Sequence, residues 1–254
     1  MQRYFLEVAY NGARYAGFQR QENSDTIQSE VERAMEVYYR KPFSLTGSSR
    51  TDAGVHAFQN YFHFDGDGEG LMRPDAAVYH LNAILPHDIV IRRMIPVGAE
   101  AHCRFDAIAR SYRYMVYRQK DPFLYQRAYY FPYQLNIELM QEAAAEVMLY
   151  TSFEAFSKKN TQVHTYECAI SQSVWREEPG MLYYEVTANR FLRGMVRGLT
   201  ATMLKVGRGK MSLEEFRSIL RARVHASAAF DVPAHGLYLV RVLYPSAGGG
   251  EKNC

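Results

Sequence analysis

The segment Gly47-Ser-Ser-Arg-Thr-Asp-Ala-Gly-Val-His-Ala57 sets one acid, Asp52, between the base Arg50 and Gly54. Aspartate and glycine are frequent in turns, so such a segment taken alone is more often a turn than an active site. His56 is likewise more often a structural histidine than a catalyst. Position favours function, because a polar loop between two strands can present a carboxylate beside an arginine that keeps it ionised. We therefore take Asp52 as a candidate catalytic group.

Tyrosines and arginines are interleaved in Arg110-Ser-Tyr-Arg-Tyr-Met-Val-Tyr-Arg118. On a strand, this order sends Tyr112 and Tyr114 to one face and Arg113 to the other. One interpretation is an aromatic sheet core with solvated arginines. The other is a nucleic-acid surface, on which rings stack on unpaired bases and guanidinium groups hold phosphates. Composition does not separate the two.

Three arginines at helical spacing follow in Asn189-Arg-Phe-Leu-Arg-Gly-Met-Val-Arg197. On a helix predicted from Phe191 to Lys205, Arg190, Arg193 and Arg197 form one stripe, while the apolar side chains face inward. A solvated face is the ordinary explanation of such a stripe. The alternative is that it faces an anion, either a phosphate or the carboxylate of Asp52.

Composition restricts the possible classes of protein. The chain has 254 residues, 48% of them apolar, which is ample for a core, and a formal charge of only +3, so any basic surface must be local. Three cysteines, Cys103, Cys168 and Cys254, fit no disulfide framework and favour a reducing cytoplasm. The N-terminus lacks signal-peptide features, and no apolar run reaches the ~18 residues of a membrane span. We therefore expect a cytoplasmic protein.

The histidine spacing provides no metal motif, and the sequence contains no glycine-rich phosphate loop, so we expect neither a metal nor an organic cofactor. The acidic turn at Asp65–Glu69 is too short for a calcium hand.

The order of elements predicts an α+β fold with two similar, mainly antiparallel sheets and helices packed on them. We expect an N-terminal domain at 1–105, a C-terminal domain at 106–245 and a mobile tail at 246–254. Caps at Ser24 or Asp25 should begin a first helix that Pro42 ends. The other expected helices are Ala76–Leu85, Ile137–Tyr150, Phe191–Lys205 and Ser212–Arg221. The expected strands are Tyr4–Tyr10, Val55–Phe64, Ile89–Ile95, Cys103–Ala109, Ser111–Tyr117, Ala169–Arg176, Met181–Ala188 and Gly236–Tyr244.

Five motifs in order resemble the TruA-type family of transfer-RNA pseudouridine synthases over nearly the whole chain. They are Tyr10–Gln21 with Thr26-Ile-Gln28, Arg50–Ala57, Ser111–Tyr114, Phe191–Arg197 and Pro233–Leu239. Ser48-Ser49 stands where the family usually has a small-residue Ala-Gly pair, which implies a change of loop detail. The resemblance implies the family fold, in which two RRM-like or ferredoxin-like halves join around a central cleft.

The resemblance also implies an activity, the isomerisation of uridine to pseudouridine at positions 38, 39 and 40 of the tRNA anticodon stem-loop. Asp52 matches the family's indispensable aspartate, which could attack C1′ or C6, or take a proton from the sugar. Arg50 matches the arginine that fills the gap left by the flipped nucleotide. Tyr112 matches the tyrosine that stacks on the target base and assists removal of the C5 proton. Arg197 matches the arginine that pairs with the carboxylate, and Leu237 matches the apolar residue on the other side of the base.

Family members work as homodimers in which one tRNA touches both subunits, without metal or organic cofactor. We expect Arg113, Arg190 and Arg193 to hold tRNA phosphates. A non-catalytic RNA-binding module is the main alternative, although a carboxylate beside Arg50 would only weaken phosphate binding. A glycosidase would need a second acid in a recognisable motif, and we find none.

Overall fold

The computed structural model describes residues 1–66, 73–158, 164–222 and 228–245. The strands are β1 (Gln2–Tyr10), β2 (Thr46–Gly47), β3 (His56–Gly66), β4 (Ile89–Val97), β5 (Ala109–Tyr117), β6 (Tyr129–Tyr130), β7 (Ile170–Glu178), β8 (Met181–Ala188) and β9 (Leu237–Leu243). The α-helices are α1 (Ile27–Tyr39), α2 (Pro74–Ile84), α3 (Ile137–Val147), α4 (Met195–Gly207) and α5 (Leu213–Arg221). Within these ranges, no helix combines the length and apolar character needed to cross a membrane.

The strands form one nine-stranded, mostly antiparallel sheet in the order β4-β1-β3-β9-β5-β8-β7, with β2 beside β3 and β6 beside β5. Strand β9 makes the sheet continuous, because it pairs in parallel with β3 (His56 opposite Tyr238) and antiparallel with β5 (Leu239 opposite Tyr112). The α+β class and the antiparallel pairing are confirmed. The two sheets expected from the sequence are joined through the last strand, whose pairing partners lie far away along the chain.

Two hydrophobic clusters lie against this sheet. One packs α1 and α2 on the N-terminal strands, with Leu6, Ile27 and Leu81 almost fully buried. The other packs α3, α4 and α5 on the C-terminal strands around side chains such as Tyr114 and Phe216. Strand β9 contributes to both clusters, so it lies where the two halves of the sheet meet. The division into domains near residue 105 stays a prediction.

Several predicted boundaries are wrong for identifiable reasons. The segment predicted as a strand from Cys103 begins as a turn, because the Cys103 N–H donates to Nδ1 of His63 (3.3 Å) and its carbonyl accepts from the Tyr244 hydroxyl (2.6 Å). Helix α1 is capped by Thr26, whose hydroxyl accepts from Ser29 N–H, and not by the two residues before it. The predicted helix from Ile137 ends at Val147, three residues early. The predicted tail and most of the acidic turn fall outside the described residues.

Candidate active site

The loop that carries Asp52 connects β2 to β3 and is held by buried polar side chains. Asn60, which is fully buried, donates from Nδ2 to the Ser49 carbonyl at 2.8 Å. The Tyr10 hydroxyl lies 2.8 Å from Oγ1 of Thr51, and the Phe18 N–H donates to the Thr51 carbonyl. The Asp52 side chain nevertheless remains 35% exposed. The loop is thus fixed at its backbone and presents its carboxylate to solvent.

The first motif, Tyr10–Gln21, supports this loop through close backbone approach. A Cβ atom at Gly12 would lie 2.0 Å from the Val55 carbonyl oxygen. Gly17 has φ +124°, and a Cβ there would lie 3.0 Å from the Thr51 carbonyl oxygen. Only glycine fits at such distances and at such a φ. Sequence reasoning missed this role, since an Asn-Gly pair such as the one at 11–12 is by itself typical only of a turn.

His56 is buried and neutral. Its Nδ1 accepts from the Gly12 N–H at 3.1 Å, so its Nε2 is the atom that donates, to the His235 carbonyl at 3.1 Å. Burial lowers the pKa of His56 to about 4. These contacts join the Asp52 loop to the first motif and to the last one, Pro233–Leu239, so the structure supports the structural interpretation of this histidine.

Arg193 is the cation beside Asp52, with its Nε atom 3.8 Å from Oδ1 of the carboxylate. Both side chains are substantially exposed, Arg193 at 59%. The arginine lies in a turn that precedes Gly194, the N-cap of α4 at φ +78°. Its carbonyl accepts from the Lys158 N–H at 3.1 Å, which fixes the backbone of this turn. A contact between the arginine segment and the Asp52 carboxylate was one of the alternatives that the sequence left open.

The expected pairing of Arg197 with Asp52 is not made in this structure. Both Nε and Nη2 of Arg197 donate to the Val232 carbonyl, at 3.0 and 2.6 Å. The predicted arginine stripe is also wrong, because α4 begins at Met195 and only Arg197 of the three lies on it. Arg190 precedes the helix and is half-buried, with its N–H bound by Oδ1 of Asn189 at 2.8 Å.

Tyr112 of β5 packs against both hydrophobic clusters, on the same face as Tyr114. This confirms the predicted alternation. The ring of Phe191 meets the Tyr112 ring edge to face, with centroids 5.0 Å apart. Burial raises the pKa of Tyr112 to about 12, and the Asp52 carboxylate acts in the same direction. The phenol is therefore neutral at physiological pH.

Leu237 begins β9 opposite Tyr114 and is only 7% exposed. Its place is fixed by the preceding turn, where the Tyr114 hydroxyl donates to the Pro233 carbonyl at 2.7 Å. A Cβ at Gly236 would lie 2.5 Å from the same tyrosine ring, so the turn packs tightly on it. The last motif is thus locked to β5, on which Tyr112 lies.

The structure does not bring Arg113 to this site. Strand alternation turns it to the face opposite Tyr112, where its guanidinium donates to Oε1 of Glu185 at 2.6 and 2.9 Å. It also lies over the Tyr183 ring, 5.0 Å from the centroid. Arg50, by contrast, is exposed and lines a pocket next to the Asp52 loop.

Chemically, the site offers an accessible carboxylate on a loop anchored by hydrogen bonds, an exposed cation beside it and a neutral phenol close by. A carboxylate in that setting can act as a nucleophile or as a base. Among the described residues, no group of three or more His, Cys, Asp or Glu side chains could hold a metal ion.

Comparison with known proteins gives consistent matches. A family model described as tRNA pseudouridine synthase matches residues 7–106 and 150–245. A protein of Porphyromonas gingivalis named tRNA pseudouridine synthase A is 43% identical, over 97% of this chain and 98% of its own length. Proteins of the same name from Bacteroides fragilis and Staphylococcus aureus are 40% and 34% identical, over 96% and 94% of this chain and 97% and 91% of their own lengths.

Proposed function

The chain belongs to the tRNA pseudouridine synthase family, and from this membership we propose that it acts on uridines 38, 39 and 40 of the anticodon stem-loop with Asp52 as the catalytic carboxylate. As a tRNA pseudouridine synthase it is an isomerase. The observation that carries the proposal is the exposed Asp52 carboxylate, fixed at its backbone and placed beside Arg193 near the neutral phenol of Tyr112.

The proposed reaction starts from the ionised Asp52 carboxylate, which attacks C1′ or C6 or takes a proton from the sugar. The N1–C1′ bond breaks, the uracil turns and a C5–C1′ bond forms. C5 then loses its proton and N1 takes one up, so the product is an isomer of the substrate. The partial exposure of Asp52 supports any of the three starts, because the oxygen atoms are accessible to a ribose or a base edge. We propose that the ring of Tyr112 and the side chain of Leu237 hold the base while it turns.

We propose that three arginines bind the tRNA around this carboxylate. Arg50 takes the place of the flipped nucleotide, a role that suits a flat cation able to stack. Arg193 and Arg190 neutralise nearby phosphates, and the exposure of Arg193 supports this assignment. No metal or organic cofactor takes part.

The proposed assembly is a homodimer in which one tRNA touches both subunits, as the family resemblance implies. The charge of +3 per chain, doubled in a dimer, would favour binding of a polyanion. Sedimentation of the purified protein with and without tRNA tests this point, and a monomer in the complex would contradict it. We propose the cytoplasm as the compartment, where the buried free thiols of Cys103 and Cys168 stay reduced.

Transcripts of one tRNA that carry C5-tritiated uridine at position 38, 39 or 40 alone test the proposed specificity. The enzyme should release tritium from each of these transcripts in excess chelator. A matched transcript with its uridine in the acceptor stem should release none. Release from the acceptor-stem transcript alone would overturn the positional assignment, and activity that only added metal restores would overturn the cofactor-free reaction.

A further inference from the structure

A pocket of about 200 Å³ lies beside the Asp52 loop, and Asp52 itself does not line it. Arg50, two residues before Asp52, forms part of its wall. Another part of the wall comes from the turn that precedes β5. The lining side chains that concern us are Gln19, Arg50, His102, Arg104 and Phe105.

Cys103 anchors the turn that provides His102, Arg104 and Phe105. The Cys103 side chain is fully buried and its thiol donates to the Thr46 carbonyl at 3.1 Å. Its carbonyl accepts from the Tyr244 hydroxyl, and the carbonyl of Arg104 accepts from Nη2 of Arg110 at 2.7 Å. A turn anchored by these bonds presents its outer side chains in fixed positions.

Phe105 is 74% exposed although its backbone is fixed. Its ring lies 4.2 Å from the His102 ring, centroid to centroid, and the Arg104 guanidinium lies over it at 5.7 Å. Nδ1 of His102 accepts from the N–H groups of Arg104 and Phe105, at 3.2 and 3.3 Å, which orients the imidazole. The result is a preorganised platform of one exposed aromatic ring with a cation beside it.

The charges of the pocket favour a phosphate. Arg50 and Arg104 are two exposed cations that face the same space. The acid of the turn is Asp106, whose Oδ2 accepts from the His102 N–H at 2.8 Å. An exposed aromatic ring next to guanidinium groups is the combination that binds single-stranded nucleic acid, because every base has a face on which a ring can stack.

We propose that this pocket binds the nucleotide next to the target uridine, with Arg104 on its phosphate and Phe105 stacked on its base. The inference rests on the proposed function, because it assumes an RNA target at Asp52. It adds a second nucleotide site, on the Arg50 side of the loop. Binding there would fix the register of the RNA strand while the target base turns.

Substitutions at Phe105 test the stacking. An anticodon stem-loop RNA with the fluorescent base 2-aminopurine next to the target uridine serves as the probe. Phe105→Ala and Phe105→Leu should raise the Kd by about fivefold to 150-fold and abolish the quenching of the probe, whereas Phe105→Trp should retain both. Phe123→Ala is the matched control, since Phe123 is 81% exposed and does not line the pocket.

Arg104→Gln tests the phosphate contact without touching the ring, and it should flatten the slope of log K against log salt by about one. Parental affinity and quenching in Phe105→Ala, together with a parental slope in Arg104→Gln, would overturn the inference. So would a Phe105→Ala protein that changes its oligomeric state and keeps its RNA affinity, because the platform would then face a second copy of the chain. A different result would show that the proposed function is wrong. In that case the parent protein would bind the probe through Phe105 and form no pseudouridine.

Discussion

The Nε atom of Arg193 lies 3.8 Å from Oδ1 of Asp52, in a contact between two exposed side chains. Exposed ion pairs of this kind contribute about 0–1 kcal/mol to folding stability. The arginine can therefore leave the carboxylate for an RNA phosphate at small cost. Arg197 differs, because the Val232 carbonyl holds its guanidinium in place.

Arg193→Ala should weaken tRNA binding and flatten the salt dependence of log K by about one unit, because one phosphate contact is lost. Its free energy of unfolding should change by less than about 1 kcal/mol. Titrations of tRNA at several salt concentrations measure both affinity and slope. Arg92→Ala, which removes an exposed arginine of β4, is the control. If Arg193→Ala and Arg190→Ala both show the same tRNA affinity and salt dependence as Arg92→Ala, these arginines form a solvated surface.

Tyr112→Phe should keep most of the tRNA affinity, since the ring that stacks remains, and should lower kcat through loss of the hydroxyl. Because the pKa of Tyr112 is raised to about 12, the phenol stays protonated between pH 7 and pH 10. The pH profiles of kcat for the parent and Tyr112→Phe should therefore be parallel over this range. If kcat rises with pH in the parent and not in Tyr112→Phe, the phenolate form of Tyr112 would be the catalytic species.

Gly12→Ala should destabilise the protein by about 1–3 kcal/mol and lower kcat, because the new Cβ would lie 2.0 Å from the Val55 carbonyl oxygen. The clash displaces the backbone that positions Asp52. Gly98→Ala is the matched control, since a Cβ there meets no atom within 4 Å. Urea denaturation and single-turnover kinetics of the two variants measure the difference. Equal stability and rates for both would refute the supporting role of the first motif.

Stability should fall as the pH decreases from about 6.5 to about 4. Burial lowers the pKa of His56 and of His63 to about 4, so over this range the unfolded chain binds protons that the folded chain does not. Each histidine contributes at most about 3 kcal/mol, fully present above the unfolded pKa and lost as the pH falls.

Urea denaturation at pH 7 and pH 5 measures this loss, and His63→Gln should reduce it. His87→Gln, which removes an exposed histidine, controls for the loss of one imidazole. If His63→Gln loses as much free energy of unfolding between pH 7 and pH 5 as the parent does, protonation of His63 does not contribute to the loss.

Elements with a clear local pattern could be predicted from the sequence. Helix α1 buries Ile27, Val31 and Met35, which lie at helical spacing in the sequence, because such a set of apolar residues is most stable facing the core. The β7–β8 hairpin appears where alternating residues flank a short turn. Asp52 could be singled out because a polar loop lies between two strong strand patterns.

Relationships that depend on distant segments could not be predicted. Nothing local shows that β9 pairs with both β3 and β5, or that the Cys103 backbone is bound by His63 and Tyr244. The start of α4 was misplaced because an apolar period continues through Phe191 and Leu192, while Gly194 at φ +78° ends the turn before the helix. Arg193, which contacts Asp52, therefore lies in the turn before α4 and not on the helix.

We propose that the Asp52 carboxylate carries the reaction, and Asp52→Asn tests this role with the least disturbance. The amide keeps the size of the side chain and removes its charge. Because Asp52 is 35% exposed and its ion pair is weak, unfolding free energy should change by about 1 kcal/mol or less. Affinity for tRNA should be retained or increase, since a negative charge near the phosphates is gone.

The decisive measurement is pseudouridine formation in saturating tRNA by the parent and by Asp52→Asn, with affinity and thermal stability determined for the same preparations. We predict a mutant that folds, binds tRNA at least as well as the parent and forms no detectable pseudouridine. A folded, tRNA-bound Asp52→Asn protein that converts uridine at the parental rate would contradict it.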